Sequence, residues 1–102
     1  MPKKGGSHIK IRDLRGGMDG VAVEGWIAEV GEKREVVTRF GKTYVMVAVL
    51  EDETGRIILN LWRDQINIAK PNCLVRIEGG FVREYSGRLE LNVGSRGKVV
   101  VL

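Results

Sequence analysis

The sequence is poor in the residues that most often carry chemistry. Its 102 residues include one cysteine, Cys73, and one histidine, His8, which excludes an intrachain disulfide and a cysteine-based zinc site. No apolar run approaches the ~20 residues that a membrane-spanning helix requires. The first six residues, Met-Pro-Lys-Lys-Gly-Gly, lack the apolar core of a secretory signal. We therefore expect a cytoplasmic protein.

Charge and aromatic content are also modest. Seventeen Lys and Arg against thirteen Asp and Glu give a net charge of +4, and the acids and bases alternate along most of the chain, so charge alone identifies no partner. Hydrophobic residues at 43% and charged residues at 29% are typical of one globular domain. The only aromatic residues are Trp26, Phe40, Tyr44, Trp62, Phe81 and Tyr85.

Residues with catalytic potential are not arranged as a site. Ser7, His8 and Asp13 lie in or next to a Lys- and Gly-rich segment that offers no scaffold to orient them. A lone cysteine such as Cys73 is usually a small buried apolar residue. The acidic run 51–53 lies in an expected turn, with nothing nearby to complete an oxygen cage. The sequence therefore predicts no enzyme, no catalytic residue, no metal and no cofactor.

The order of secondary structure predicts an all-β fold. We expect a mobile basic arm at 1–8, a domain at 9–98 and a C-terminal strand or stub at 99–102. Five short strands with a helix between the third and fourth are typical of a five-stranded Greek-key barrel, the OB-fold, with an SH3-like barrel as the alternative. The expected strands are 21–30, 43–50, 56–62, 74–85 and 88–93, with a charged connection at 31–42 and a helix at 64–69.

On the third and fourth strands, the role of the aromatic residues depends on whether they point into the core or outward. Trp62 ends the third strand on the face opposite Ile57, Leu59 and Leu61, among polar groups. On the fourth strand, Phe81, Arg83 and Tyr85 have the same parity as Val75 and Ile77, which would bury them. A bulge at Gly79-Gly80 would instead turn all three outward. The residues alone leave both arrangements open.

If they point outward, Trp62, Phe81 and Tyr85 form an aromatic platform rimmed by Arg56, Arg83 and Arg88. Such a platform suits an unpaired nucleic-acid strand, because every base has a π-face and cations follow the phosphates. The alternative is that all three aromatics pack in the barrel core.

Several segments resemble the single-stranded-DNA-binding proteins of archaea, in particular the crenarchaeal, replication protein A-like type with one OB-fold. The similarity covers about residues 9–98. It is carried by Asp13-Leu14 to Met18, Asp52-Glu53-Thr54-Gly55-Arg56, Leu59-Asn60-Leu61-Trp62, Val75-Arg76-Ile77-Glu78 and Ser86-Gly87-Arg88 to Ser95.

The resemblance implies that Trp62, Phe81 and Tyr85 stack on successive bases, and hence that the fourth strand is bulged. It also implies that the loop after the first strand flanks the bound strand. Trp26 departs from the family, where a polar residue is common, and either extends the platform, meets a partner or packs under the loop. The expected polar and phosphate-contacting residues are Arg34, Thr38, Arg39, Arg56, Asn60, Arg83 and Arg88.

These observations predict a nucleoid-associated protein that coats and protects single-stranded DNA in replication, recombination and repair. The alternatives are an OB-fold protein-interaction subunit of a replication or repair complex, and an RNA-binding OB domain. Replication and repair proteins are the expected further partners, although the sequence shows no tail after the barrel to recruit them. Abundant Glu, Lys, Arg, Val and Ile fit a heat-adapted source.

Overall fold

The computed structural model describes residues 8–68 and 70–102, with the backbone alone described at residues 95 and 96. The strands pair in the order β1-β2-β3-β5-β4 and close into a barrel, antiparallel throughout except for the β3–β5 pair. The predicted Greek-key OB-fold barrel with a short helix between the third and fourth strands is confirmed. Its elements are β1 (Asp19–Thr38), β2 (Gly41–Asp52), β3 (Gly55–Trp62), α1 (Gln65–Ile68), β4 (Leu74–Tyr85) and β5 (Arg88–Val101).

Two predicted features fall partly outside the described residues. Of the predicted arm, residues 1–7 lie outside them, whereas His8 lies beside Glu24, with Nδ1 3.7 Å from Oε2. The predicted helix end at Ala69 also lies outside them. No helix in the described part of the chain is long and apolar enough to cross a membrane.

The barrel core is formed by alternating side chains, as strand geometry requires. On β3, Ile57, Leu59 and Leu61 are buried while the residues between them are partly exposed, as the sequence predicts. The fully buried side chains come from every strand and from the segment before β1, so one contiguous core fixes all five strands. Its largest members are Leu14, Ile27, Leu50, Leu59, Leu61, Ile77 and Leu91.

A β-bulge interrupts β4 at Gly79. The pairing register with β5 shifts between Glu78 and Gly80, and Gly79 has a left-handed backbone with φ +67°. Ile77 and Val82 are both buried although five positions separate them, which an unbroken alternation would not allow. The structure therefore has the bulged arrangement, and the odd-numbered residues after Gly79 point away from the core.

The segment 31–42 is a β-ribbon, so the prediction of a charged connection is wrong. β1 continues to Thr38 and pairs with β2 up to Thr38 opposite Gly41, which leaves a two-residue tip at Arg39 and Phe40. Most side chains from Glu29 to Phe40 are exposed. Because neither face of the ribbon is buried, no alternation of apolar and polar residues indicates strand structure there.

The last strand is longer than the sequence predicts. β5 continues from Arg88 to Val101, and its second half pairs with the start of β4, with Val101 opposite Val75. Val99 is buried in the core. Residues 99–101 therefore belong to the barrel and not to a separate stub.

The Asp52 carboxylate ties the β2–β3 turn to the segment before β1. Its Oδ1 accepts hydrogen bonds from the backbone N–H groups of Thr54 (2.7 Å) and Gly55 (3.1 Å) and from the Thr54 hydroxyl. Its Oδ2 accepts one from the backbone N–H of Ile11 at 2.9 Å. Burial alone would raise the pKa of Asp52, but the hydrogen bonds that it accepts outweigh burial and leave the pKa lowered.

Asp52→Asn should lower stability and weaken its dependence on acid pH. Because the pKa of Asp52 is lower in the folded chain, its contribution is complete above the ordinary value of 3.8 and is lost as the pH falls through the folded value. We expect the free energy of unfolding at neutral pH to fall by about 1–3 kcal/mol. Urea unfolding at neutral and acid pH measures both effects. Asp13→Asn, at an exposed position, is the control, and equal acid sensitivity of Asp52→Asn and the unaltered protein would contradict the account.

β5 approaches the bulge closely at Gly97. A Cβ atom on Gly97 would lie 2.6 Å from the carbonyl oxygen of Glu78 and 2.9 Å from that of Gly79. It would also lie 2.8 Å from a methyl group of Val93. Because two of these three contacts are with the backbone, the bulge itself would have to move to admit a side chain. The absence of a side chain at Gly97 is thus part of how the bulge is accommodated.

Gly97→Ala should therefore destabilise the protein by about 1–3 kcal/mol, the usual range for overpacking a tight site. Gly55→Ala is the matched control, because its Cβ would lie 3.9 Å from its nearest neighbour and its backbone is not left-handed. The control should be neutral or stabilising by up to about 1 kcal/mol. Urea unfolding of the two variants tests this difference, and equal stabilities would show that the bulge tolerates a side chain on β5.

Candidate nucleic-acid interface

An open groove of about 590 Å³ crosses the barrel where β3, β4, β5 and the tip of the β1–β2 ribbon meet. It brings together the three aromatic residues predicted to form a platform, Trp62, Phe81 and Tyr85. Thr38 and Arg83, predicted as polar contacts, also line it. The remaining lining residues are Phe40, Thr43, Arg63, Asp64, Gln65, Asn92, Val93 and Gly94.

Trp62 is held at the end of β3 by the first residue of α1. Its backbone N–H donates to Oε1 of Gln65 at 2.9 Å, and Nε2 of Gln65 donates to the carbonyl of Val93 on β5 at 3.4 Å. Gln65 thus connects the end of β3 to the middle of β5, beyond the last residues that pair between these two strands. This bridge keeps the half-buried indole at the groove wall, on the face opposite the core residues of β3.

The two aromatic residues of β4 are aligned by the bulge. Phe81 is half-buried beside Gly94, where a Cβ atom would lie 3.4 Å from the phenyl ring, and Tyr85 is 53% exposed at the end of the strand. The guanidinium carbon of Arg83 lies 5.3 Å from the centre of the Phe81 ring, a cation–π contact. Ser86 and Gly87 both have left-handed backbones in the tight turn that follows. The strand therefore presents ring, cation and ring along one face.

Phe40 also belongs to the groove, although no pattern in the sequence indicates a role for it. It lies at the tip of the β1–β2 ribbon and is 84% exposed. Thr38 fixes this tip, because its hydroxyl donates to the carbonyl of Gly41 (3.0 Å) and accepts from the N–H of Phe40 (3.1 Å). The only sequence feature that could have indicated Phe40 is the presence of an aromatic residue next to Gly41 within a charged segment.

Five of the seven predicted polar contacts do not line the groove, and Arg56, Arg88 and Asn60 are three of them. Arg56 lies at the start of β3 and forms ion pairs with Glu29 and Glu51, at 3.5 and 3.4 Å. Arg88 pairs with Glu90 at 2.9 Å, and that carboxylate also accepts a hydrogen bond from Asn60 at 2.9 Å. These three side chains are engaged within the protein, and their contact with DNA stays a prediction.

Arg34, Arg39 and Trp26 also lie outside the groove lining. Arg34 is exposed on the ribbon, and Arg39 is exposed at its tip between the lining residues Thr38 and Phe40. Trp26, 48% exposed, pairs across the sheet with Leu74 and lines a different pocket beside Lys10. Trp26 therefore does not extend the aromatic platform.

Across the described ranges 8–68 and 70–102, no three His, Cys, Asp or Glu side chains are grouped so as to hold a metal ion. Cys73 is half-buried and packs against the core.

Comparison with known proteins agrees with this architecture. The family model described as single-stranded DNA binding protein Ssb-like, OB fold, matches residues 21–101. The chain belongs to this Ssb-like family. The resemblance to archaeal, replication protein A-like single-OB-fold proteins is thereby confirmed.

Two kinds of relative are similar to this Ssb-like chain. The single-stranded DNA binding protein Ssb of Saccharolobus solfataricus is 32% identical over 90 residues, which are 88% of this chain and 61% of that protein. The chain thus spans less than two thirds of that relative's length. An OB domain from Thermoplasma acidophilum superposes with a TM-score of 0.80 and 28% identity, over 92% of this chain and 85% of the other.

A more distant structure supports the fold alone. The replication factor A related protein from Methanobacterium thermoautotrophicum has a TM-score of 0.79 at 24% identity, over 93% of this chain and 90% of the other.

Proposed function

We propose that this chain binds single-stranded DNA with little sequence preference and coats exposed strands in replication, recombination and repair. The observation that carries the proposal is the placement of Trp62, Phe81 and Tyr85 on the walls of one open groove. The Ssb-like family membership and the relative named as a single-stranded DNA binding protein support it.

Stacking provides the binding energy in this proposal. Each base that lies flat on an aromatic side chain contributes roughly 1–3 kcal/mol, whichever base it is. Arg83 lies beside Phe81 and faces the groove, so it is placed to contact a phosphate next to a stacked base. Arg34 and Arg39 on the ribbon are placed to contact phosphates farther along the strand.

Two of the polar side chains in the groove, those of Gln65 and Asn92, are already paired within the protein, which favours tolerance of sequence. Both ends of the Gln65 amide are used within the protein, and Oδ1 of Asn92 accepts from Nδ2 of Asn60 at 3.3 Å. Side chains that are already paired offer little for reading base edges, which is what sequence recognition needs. The rings remain as the main means of holding bases.

Phe40 is assigned a covering role in this proposal. Its exposed ring lies at the ribbon tip and lines the same groove as the residues of β4. A base stacked on the platform would then have the Phe40 ring beside it, with Arg39 next in the chain.

Tryptophan fluorescence provides the first test, because the chain has two tryptophans and only Trp62 lines the groove. Oligo-dT should quench the fluorescence of the unaltered protein and of Trp26→Phe, but not that of Trp62→Phe. Trp62→Ala should weaken binding by roughly 1–3 kcal/mol in a fluorescence-anisotropy titration, since one stacking contact is lost. Trp26→Ala, outside the groove, should bind as the unaltered protein does.

Two results would each reject one part of the proposal, the first the stacking and the second the phosphate contacts. One is an unchanged affinity when Trp62, Phe81 and Tyr85 are all replaced by alanine in a protein that remains folded. The other is binding that does not depend on salt, because phosphate contacts release counterions and must weaken as salt rises.

Phe40→Ala should weaken binding to oligo-dT without changing stability. The ring is almost fully exposed, so the unfolding midpoint should move little, whereas a lost stacking contact costs roughly 1–3 kcal/mol of binding. Val37→Ala is the matched control, because Val37 is 77% exposed on the same ribbon but does not line the groove. Thermal unfolding and anisotropy titrations measure the two effects, and equal affinities of the two variants would remove Phe40 from the binding surface.

A further inference from the structure

A second pocket opens from the groove where β3 leads into α1. This side pocket has a volume of about 370 Å³ and shares Thr43, Arg63 and Asp64 with the groove. Its other lining residues are Lys33, Lys42, Tyr44, Ile66 and Asn67. The shared residues make the two pockets neighbours on the surface, so a strand lying across the aromatic residues can reach the side pocket by passing Arg63.

Arg63 is fixed at the junction of the two pockets. Its backbone is left-handed with φ 55°, and its N–H donates to the carbonyl of Tyr44 at 3.1 Å. Its Nε donates to the hydroxyl of Thr43 at 3.1 Å. A non-glycine residue with positive φ is uncommon, and here two hydrogen bonds to β2 hold it. The base of the guanidinium is therefore anchored, and its outer nitrogens face the pockets.

Lys33 is oriented by an aromatic ring. Its Nζ lies 4.9 Å from the centre of the Tyr44 ring, within the range of a cation–π contact. Tyr44 is 43% exposed and its hydroxyl lies 3.5 Å from Oε2 of Glu35, its cross-strand partner. The ring thus has its hydroxyl toward an acid and one face toward a lysine, which leaves it poorly placed to stack on a base.

The cations of the side pocket are not neutralised by the protein. Elsewhere Lys10, Arg56 and Arg88 form ion pairs with carboxylates. Within the described residues, Lys33, Lys42 and Arg63 form none, and Asp64 is the single carboxylate of the pocket lining. Even with Asp64 in the lining and Glu35 beside the Tyr44 hydroxyl, three cations at one small pocket leave an excess of positive charge that attracts anions. For a strand in the groove, that anion is its own phosphate backbone.

We propose that the side pocket is a phosphate-binding subsite. It takes a backbone phosphate from the part of the strand that extends past the bases stacked on Trp62, Phe81 and Tyr85. Arg63 and Lys42 contact the phosphate, and the Tyr44 ring positions Lys33 toward it. This inference rests on the proposed function, because it needs a strand in the groove. It adds a direction in which the bound strand runs, from the aromatic wall past Arg63 toward the ribbon.

The test compares oligo-dT lengths in a charge-matched pair of variants. In Lys33→Ala/Lys42→Ala the side pocket loses two cations, and in the control Lys70→Ala/Lys98→Ala two exposed lysines that line neither pocket are lost. A short oligo-dT that just fills the aromatic groove should bind the two double variants equally. For longer oligo-dT, the slope of log affinity against log salt should fall by up to about 0.7, the value for one phosphate contact, in the side-pocket variant alone.

A side-pocket variant that loses no more than the control on long oligo-dT would overturn the subsite. So would an equal loss on short and long oligo-dT, since that indicates a general effect of charge. Failure of the proposed function looks different, because then no length of oligo-dT quenches Trp62 in the unaltered protein.

Tyr44 offers a second, independent comparison. Tyr44→Phe keeps the ring under Lys33 and should bind long oligo-dT as the unaltered protein does, whereas Tyr44→Leu removes the ring and should weaken only the binding of long oligo-dT. Equal affinities of the two variants would overturn the positioning role of the ring.

Discussion

The left-handed backbone at Gly79 is the constraint on which the rest of this surface depends. Side chains alternate strictly along a strand, so one inserted residue moves every later side chain to the other face. Before the bulge β4 buries Val75 and Ile77, and after it the strand buries Val82 and turns Phe81 and Tyr85 outward. One strand thereby provides both barrel core and groove wall. The bulge can persist because β5 has no side chain at Gly97, where the two backbones approach each other.

A second feature of the structure is that some of its cations form ion pairs with carboxylates, whereas others do not. On β3 and at the start of β5, Arg56 and Arg88 are held by neighbouring carboxylates, and such exposed pairs contribute little to stability. Beside the groove, Lys42 and Arg63 form no ion pair within the described residues. The net charge of +4 therefore understates the local positive potential, because much of the charge elsewhere is cancelled locally.

The sequence was sufficient for the barrel but not for the complete surface. The alternation of Ile57, Leu59 and Leu61 fixed the face of β3 and hence the side on which Trp62 lies. The sequence of β4 did not determine which face of the strand Phe81, Arg83 and Tyr85 occupy, because the Gly79-Gly80 pair permits a bulge without requiring one. The resemblance to a known family favoured the bulge, and the structure has it.

The ribbon and its aromatics were missed for a different reason. A strand with no buried face carries no periodic pattern, so 31–42 had the composition of a loop. The positions of Phe40 and Tyr44 relative to the groove depend on how the ribbon bends over the barrel, which is a property of tertiary structure. The same ribbon forms one wall of a groove that is open along its length. A polymer can enter an open groove sideways. In the proposed function, the chain would therefore reach gaps and bubbles in a duplex, which offer no free end for threading.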